Sequence, residues 1–214
     1  MRELLILLGL GAVALAGGLA LSKASPEDSS SPASVLSKPA VKPPAISDSD
    51  FVMGPKEAPV SLIEYLDFQC PACAQTFPAT EAVVSKYSSN VRYAVRIFPL
   101  SQHKNTIPAT KAAFAAGKQG KFFPMADKLF AKQSEWENLP DPAATFEGYA
   151  QDLGLNIDQY KIDRDSPETA AKITAAQAEA ANLKLEQTPT YFVDGKLFAP
   201  ESESDFEGVL KPKG

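Results

Sequence analysis

Between Val60 and Phe77 the chain reads Val-Ser-Leu-Ile-Glu-Tyr-Leu-Asp-Phe-Gln-Cys-Pro-Ala-Cys-Ala-Gln-Thr-Phe, a β-prone run that delivers two cysteines to the start of a helix. A buried strand, a turn and a helix N-terminus must therefore meet within one short stretch, which leaves few folds open. Cys70 and Cys73 are the only cysteines present. Unpaired N–H groups at a helix start carry partial positive charge, so a thiolate placed there is favoured and the cysteine becomes acidic. Cys70 is the candidate nucleophile. Pro71 suits the first helical position because it has no N–H to waste, and the three-residue offset puts Cys73 on the same face as Cys70, within reach of a disulfide. Two plainer roles fit less well. A structural zinc site needs about four Cys or His ligands, and His103 is the only histidine in the chain. A purely structural disulfide closing so short a loop removes little entropy from the unfolded chain. Redox reactivity explains the spacing better.

The strand before the pair, Val60 to Asp67, is apolar on nearly every residue, as a buried central strand is. In the helix after it, Cys73, Phe77, Thr80, Val84 and Tyr87 recur at helical spacing and form a core face, with Pro78 as an expected kink. Val91 to Phe98 then alternates Val91, Tyr93, Val95 and Ile97 against Arg92 and Arg96, which predicts a second strand. Strand, helix and strand make a βαβ unit with a right-handed crossover. Residues 106–185 are helical in composition, with runs at 109–117, 122–132, 142–153 and 168–185 punctuated by Gly120, Pro140, Gly154 and Pro167. This is a helical insert between two halves of a sheet. Thr190–Val193, the turn Asp194-Gly195 and Lys196–Phe198 predict a type I′ hairpin, closed by a helix from about Ser202 to Leu210.

The amino-terminal part has a different character. Residues 4–21 are uncharged and rich in Leu, Ala and Gly, at the short end of what spans a bilayer as a helix. Residues 1–21 serve either as a membrane anchor or as a signal segment cut near Gly18-Leu19-Ala20 or Ser22-Lys23-Ala24; the length of the apolar run favours the anchor. Both readings export the remainder of the chain, and one cysteine pair without spare thiols suits an oxidising compartment. Residues 22–47 are dense in Ser, Pro, Lys and Ala and predict a disordered tether to a folded domain over 48–212. A net charge of -5 with no basic stripe excludes nucleic acid as a partner.

Glu64 lies six residues before Cys70, Phe98-Pro99-Leu100 leaves the second strand, and Thr188-Pro189-Thr190 precedes the hairpin. With Cys-Pro-Ala-Cys and the helical insert, these features resemble the DsbA-type thiol:disulfide oxidoreductases of the thioredoxin superfamily, over about Phe51 to Leu210. The resemblance implies an α/β thioredoxin-like fold with an inserted helical subdomain, and an exported enzyme that forms or exchanges disulfides through Cys70 and Cys73 without metal or organic cofactor. It implies cysteine-bearing, newly exported proteins as substrates and a membrane redox partner that resets the disulfide. Its place would be the periplasm or the outer face of the cell membrane. Pro189 is expected to be cis beside the disulfide, and Thr188 to offer its backbone to an extended substrate chain. Glu64 takes the part of the buried acid under Cys73, exchanging a proton with it; an exposed edge-strand glutamate is the plainer alternative. Asp67 reads as a loop or capping group, and His103, Trp136 and Phe122-Phe123 as packing. The dipeptide Pro71-Ala72 departs from the Pro-His of the best known member. Ala72 donates nothing to the thiolate, so a weaker oxidant is expected. A reductase or isomerase for specific partners, and a Cu(I)-binding thiol module, are the competing readings.

Overall fold

The computed structural model describes residues 42–212. Five strands and eight helices follow one another: β1 (Phe51–Met53), β2 (Val60–Leu66), α1 (Pro71–Lys86), β3 (Val91–Ile97), α2 (Thr106–Lys118), α3 (Phe122–Ala131), α4 (Gln133–Trp136), α5 (Ala143–Asp152), α6 (Ile157–Arg164), α7 (Pro167–Asn182), β4 (Thr190–Val193), β5 (Lys196–Phe198) and α8 (Glu203–Leu210). The strands form one sheet in the order β1-β3-β2-β4-β5. β2 and β3 run parallel, joined through α1, and the other pairs are antiparallel.

β2 is the central strand, which explains its apolar run: both edges are paired and both faces covered. Leu62, Glu64 and Leu66 face the larger core with Tyr93, Val95, Ile97 and the buried side of α1, where Cys73, Phe77, Thr80, Val83 and Val84 point inward. Ile63 and Tyr65 face a smaller cluster with Ala94, Leu183 and Phe192. Pro78 stands inside α1 without ending it. At the hairpin Asp194 and Gly195 have φ of 49° and 72°, the two positive values a type I′ turn requires.

The six helices α2 to α7 lie in sequence between β3 and β4. They share the larger core, with Trp136 fully buried, edge-on to Phe146, and donating Nε1–H to the Leu129 carbonyl at 2.9 Å. α4 and α6 fall outside the four helical runs read from composition. β1 is a further addition; it pairs with β3, and Phe51 stacks on Phe122 at 3.8 Å between ring centroids.

Residues 42–47, expected as the end of the tether over 22–47, are held to the folded domain instead. Pro43 is buried, Ile46 packs against the smaller cluster, and Arg96 donates to the Pro44 and Ala45 carbonyls at 3.0 and 3.1 Å while pairing with Asp50 at 2.8 Å. Backbone acceptors held by one guanidinium order a segment whose proline content alone argues against structure. The expected anchor or signal, residues 1–21, and the tether as far as residue 41 lie outside the described residues. Among the described residues, no helix is long and apolar enough to cross a membrane.

Candidate active site

β2 ends at Leu66, and the chain turns through Asp67, Phe68 and Gln69 into α1. The turn is fixed from inside: the Asp67 carboxylate accepts from Gln69 N–H at 2.7 Å, and Cys70 N–H donates to the Asp67 carbonyl at 3.0 Å. Cys70 thus becomes the N-cap residue of α1, in extended conformation, with Pro71 at the first helical position and Ala72 exposed beside it. Cys73, one turn in, is fully buried, whereas Cys70 keeps 7% of its surface. Both thiols are free.

The two cysteines are driven in opposite directions. A hydrogen bond from the Cys73 thiol, one from Thr188 and the amides of Cys73 and Ala72 outweigh partial burial and bring Cys70 down to about 5. Burial, the hydrogen bond to Cys70 and the negative charge of Glu64 push Cys73 well above the ordinary thiol range. As a thiol, Cys70 donates to the Thr188 carbonyl at 3.3 Å while the Thr188 hydroxyl is buried without a partner. Ionisation removes the thiol proton and gives that hydroxyl an acceptor. The expectation that position 72 donates nothing needs correcting in one respect. The methyl group cannot donate, but the backbone N–H of Ala72 does.

Glu64 is fully buried on the central strand, not exposed at an edge. It stands directly across from Tyr191 of β4, whose hydroxyl donates to Oε1 at 3.1 Å, and Tyr93 of β3 donates to Oε2. Burial outweighs these two bonds and raises the carboxyl to about 7. The Thr188–Pro189 peptide bond is cis, and Pro189 is half-buried next to Thr188. Cys70, Cys73, Glu64 and Thr188 are therefore linked through hydrogen bonds and charge at the junction of β2, α1 and β4. Among the described residues, no group of three or more His, Cys, Asp or Glu side chains is placed to hold a metal ion.

Three groups around the site go beyond the sequence reading. Asp67 is fully buried and, besides shaping the turn, accepts from Leu100 N–H at 2.7 Å and bonds His103 Nδ1 at 2.9 Å. His103 is thereby tied to the loop that carries Cys70. Gln133 of α4 donates to the Phe68 and Cys70 carbonyls at 2.9 and 3.2 Å. Gln69 accepts from Asn105 N–H at 2.6 Å, and Asn105 directs its side-chain amide to the Trp136, Glu137 and Leu139 carbonyls. The helical insert thus holds the cysteine turn through polar side chains. Only Asp67 carried a signal of this kind, as a carboxylate in a strand-to-helix turn; glutamines and an asparagine in helical or loop sequence carry none.

The family described as Thioredoxin matches residues 47–212. Among curated proteins the chain is 39% identical over 155 residues to one named Na(+)/H(+) antiporter NhaA 1 from Salinispora arenicola (strain CNS-205), covering 72% of this chain and 23% of that protein. It is 33% identical over 158 residues to one named Na(+)/H(+) antiporter NhaA from Herminiimonas arsenicoxydans, covering 73% and 24%. The chain spans about a quarter of the length of these curated relatives. Among solved structures it is similar to a thioredoxin-like oxidoreductase from Silicibacter pomeroyi DSS-3, with a TM-score of 0.63 and 25% identity over 77% of this chain and 91% of that one. It also shares the fold of oxidised BdbD from Bacillus subtilis, with a TM-score of 0.68 and 19% identity over 79% and 94%. Wolbachia pipientis alpha-DsbA1 has that fold too, with a TM-score of 0.62 and 23% identity over 77% and 83%.

Proposed function

The chain belongs to the thioredoxin family and has the fold of its DsbA-type members, and from that premise we propose that it is an exported thiol:disulfide oxidoreductase that donates its Cys70–Cys73 disulfide to proteins bearing free thiols. In this reading a substrate thiolate attacks the Cys70 sulfur and breaks the Cys70–Cys73 bond. Cys73 leaves with the electron pair and takes a proton from Glu64. A second substrate thiolate then attacks the substrate sulfur of the mixed disulfide and releases Cys70 as a thiolate. Two substrate thiols become one disulfide, and the enzyme is left reduced for a membrane partner to reoxidise.

The observation that carries the proposal is the split between the two thiols: Cys70 is held near 5 and Cys73 is pushed up. A thiolate stabilised at the more accessible of the two cysteines favours the reduced enzyme and makes Cys70 a good leaving group, as a disulfide donor needs. The buried Thr188 and half-buried Pro189 beside Cys70 support docking of an extended substrate strand, with backbone groups giving affinity without a sequence requirement. Residues 4–21 would anchor the domain outside the cytoplasm. The membrane antiporters named among its relatives support action at a membrane.

Trapping the full-length protein in cells with acid and alkylating its free thiols tests both parts at once. A resting pair that is oxidised, in protein that stays with membranes after a salt wash, is expected. A resting pair that is reduced would make the protein a reductase or isomerase for particular disulfides, and soluble protein with a new amino terminus near Ser25 would replace the anchor with a cleaved signal.

A further inference from the structure

Burial raises Glu64 to about 7, so below neutrality the carboxyl of the reduced protein is protonated and takes the Cys73 proton only after its own has left for solvent, and a fully buried group needs a path for that. Two hydroxyls touch the carboxyl, and they differ in where they lead. Tyr93 Oη donates to Oε2 and has no other hydrogen bond among the described residues. Tyr191 Oη donates to Oε1 at 3.1 Å and also lies 3.1 Å from Thr80 Oγ1 and 3.4 Å from Thr76 Oγ1. Thr80 is buried, with its own proton on the Thr76 carbonyl at 3.1 Å. Thr76 is half-exposed on α1, and its Oγ1–H points to the carbonyl of Ala72, the exposed residue between the two cysteines.

We infer that Tyr191 and Thr76 form the hydroxyl relay through which Glu64 exchanges protons with solvent beside the active-site turn, while Tyr93 holds the carboxyl from a closed side. The inference rests on the disulfide-exchange reading above. When Glu64 is ionised, Tyr191 donates to it. When Glu64 has taken the Cys73 proton, the direction reverses: the carboxyl donates to the Tyr191 oxygen, Tyr191 passes its own proton to Thr76 Oγ1, and Thr76 releases one to water. Each hydroxyl gains one proton and loses one, so none needs to become charged for long. The cross-strand pairing of Glu64 with Tyr191 sets the first distance, and α1 supplies the last hydroxyl one turn beyond the cysteines.

The titratable groups that face Glu64 are Tyr93 on β3, Tyr191 on β4, and Cys73 and Glu81 on α1, with Asp127 of α3 against Glu81 and Cys70 against Cys73. Glu81 is raised to about 8 by burial, by Asp127 and by Glu64. It is therefore neutral while Glu64 titrates and ionises in the next window up, so the assay has to span pH 5 to 8.

Reduced full-length protein is mixed with oxidised glutathione, quenched in acid at intervals, and the Cys70–glutathione mixed disulfide is followed by mass spectrometry. Its decay measures attack by Cys73 with loss of the Cys73 proton to Glu64, and below about pH 7, where Glu64 starts protonated, it also requires that carboxyl to discharge to solvent first. Tyr191→Phe keeps the ring, which packs edge-on against Phe206, and removes only the hydroxyl. Below pH 7 it should slow the decay by roughly tenfold or more and enlarge the solvent deuterium isotope effect. Tyr93→Phe removes an equivalent bond from the same carboxyl, so it should move the pH midpoint of the decay but not lower its plateau. Thr76→Val should resemble Tyr191→Phe, and Thr76→Ser should restore the rate. Equal behaviour of Tyr191→Phe and Tyr93→Phe, or a wild-type rate in Thr76→Val, overturns the relay while leaving the exchange reading intact. Failure of the unaltered protein to form any mixed disulfide overturns both.

Discussion

Replacing Glu64 by Gln removes the one buried carboxyl on the central strand and keeps its shape. The sign and size of the effect follow from its titration. Burial raises Glu64 from its ordinary 4.5 to about 7. Between those values the folded protein holds a proton that the unfolded chain has given up, so the wild type loses stability as pH rises through the window. At about 1.4 kcal/mol per pH unit, the penalty complete above pH 7 is about 3 kcal/mol. The substituted glutamine carries no such penalty, since its amide is neutral throughout and can still take one tyrosine proton on its oxygen. Urea unfolding of reduced wild type and Glu64→Gln, at half-unit steps from pH 4 to 8, should therefore give curves that lie close together at low pH and diverge towards neutrality, with the variant more stable by about 3 kcal/mol at pH 8. Because Glu64 also helps to raise Glu81, Asp127→Asn in both backgrounds separates the two carboxyls. A stability difference that stays flat across the range would mean that Glu64 does not titrate near neutrality, and its fitness to exchange a proton with Cys73 would go with it.

Thiolate absorbance of Cys70 should titrate near pH 5, and Cys73→Ala should move that midpoint up by about one pH unit or more, since the Cys73 thiol is the foremost of the groups holding Cys70 down. Thr188→Val should also raise it and lower the reduction potential against glutathione by roughly 30 mV for each unit gained, while Thr188→Ser keeps the wild-type values. Ala72→His should act in the opposite sense, because an imidazole between the cysteines adds a donor to the thiolate; a lower midpoint with an unmoved potential would show that thiolate stabilisation does not set the redox poise. Gln133→Leu leaves the carbonyls of Phe68 and Cys70 without their donor and should cost about 1 to 3 kcal/mol in denaturant unfolding, with a rise in Cys70 exposure to alkylation.

The parts of this fold that could be read in advance are those whose signal is local. β2, β3 and the β4–β5 hairpin declare themselves through apolar runs, alternation and an Asp-Gly turn, and α1 through its cysteine, phenylalanine and valine face. β1 is three residues long and half-buried, too short to establish a period. α6 buries only Tyr160 and Asp163, so its sequence lacks an apolar stripe. The ordered stretch from Lys42 to Asp50 was illegible for another reason: Arg96, which holds it, lies on β3 far along the chain. Glu64 stood between these cases. Its strand was legible, but that β4 pairs on its other edge, bringing Tyr191 opposite, depends on topology.

The chemistry of the site depends on a coupling that the spacing of Cys70 and Cys73 only hints at. While Cys70 is a thiolate, the Cys73 proton is bonded to it, which holds Cys70 down and Cys73 up. Once Cys70 is engaged in a mixed disulfide it carries no charge, and both its hydrogen bond and its repulsion vanish from Cys73. In the proposed exchange Cys73 is thereby released from part of its restraint at the step where it would attack. Burial and the Glu64 charge remain, but the proposed transfer of the proton to Glu64 would move one negative charge from carboxylate to sulfur and add none, so the buried site would incur no second desolvation penalty. Cys70→Ser isolates this effect: without the neighbouring thiolate, Cys73 should titrate lower than in the reduced wild type, yet still above an ordinary thiol because it stays buried. A Cys73 that titrates the same with and without Cys70 would show that the two sulfurs are not coupled, and that resolution is timed by substrate access alone.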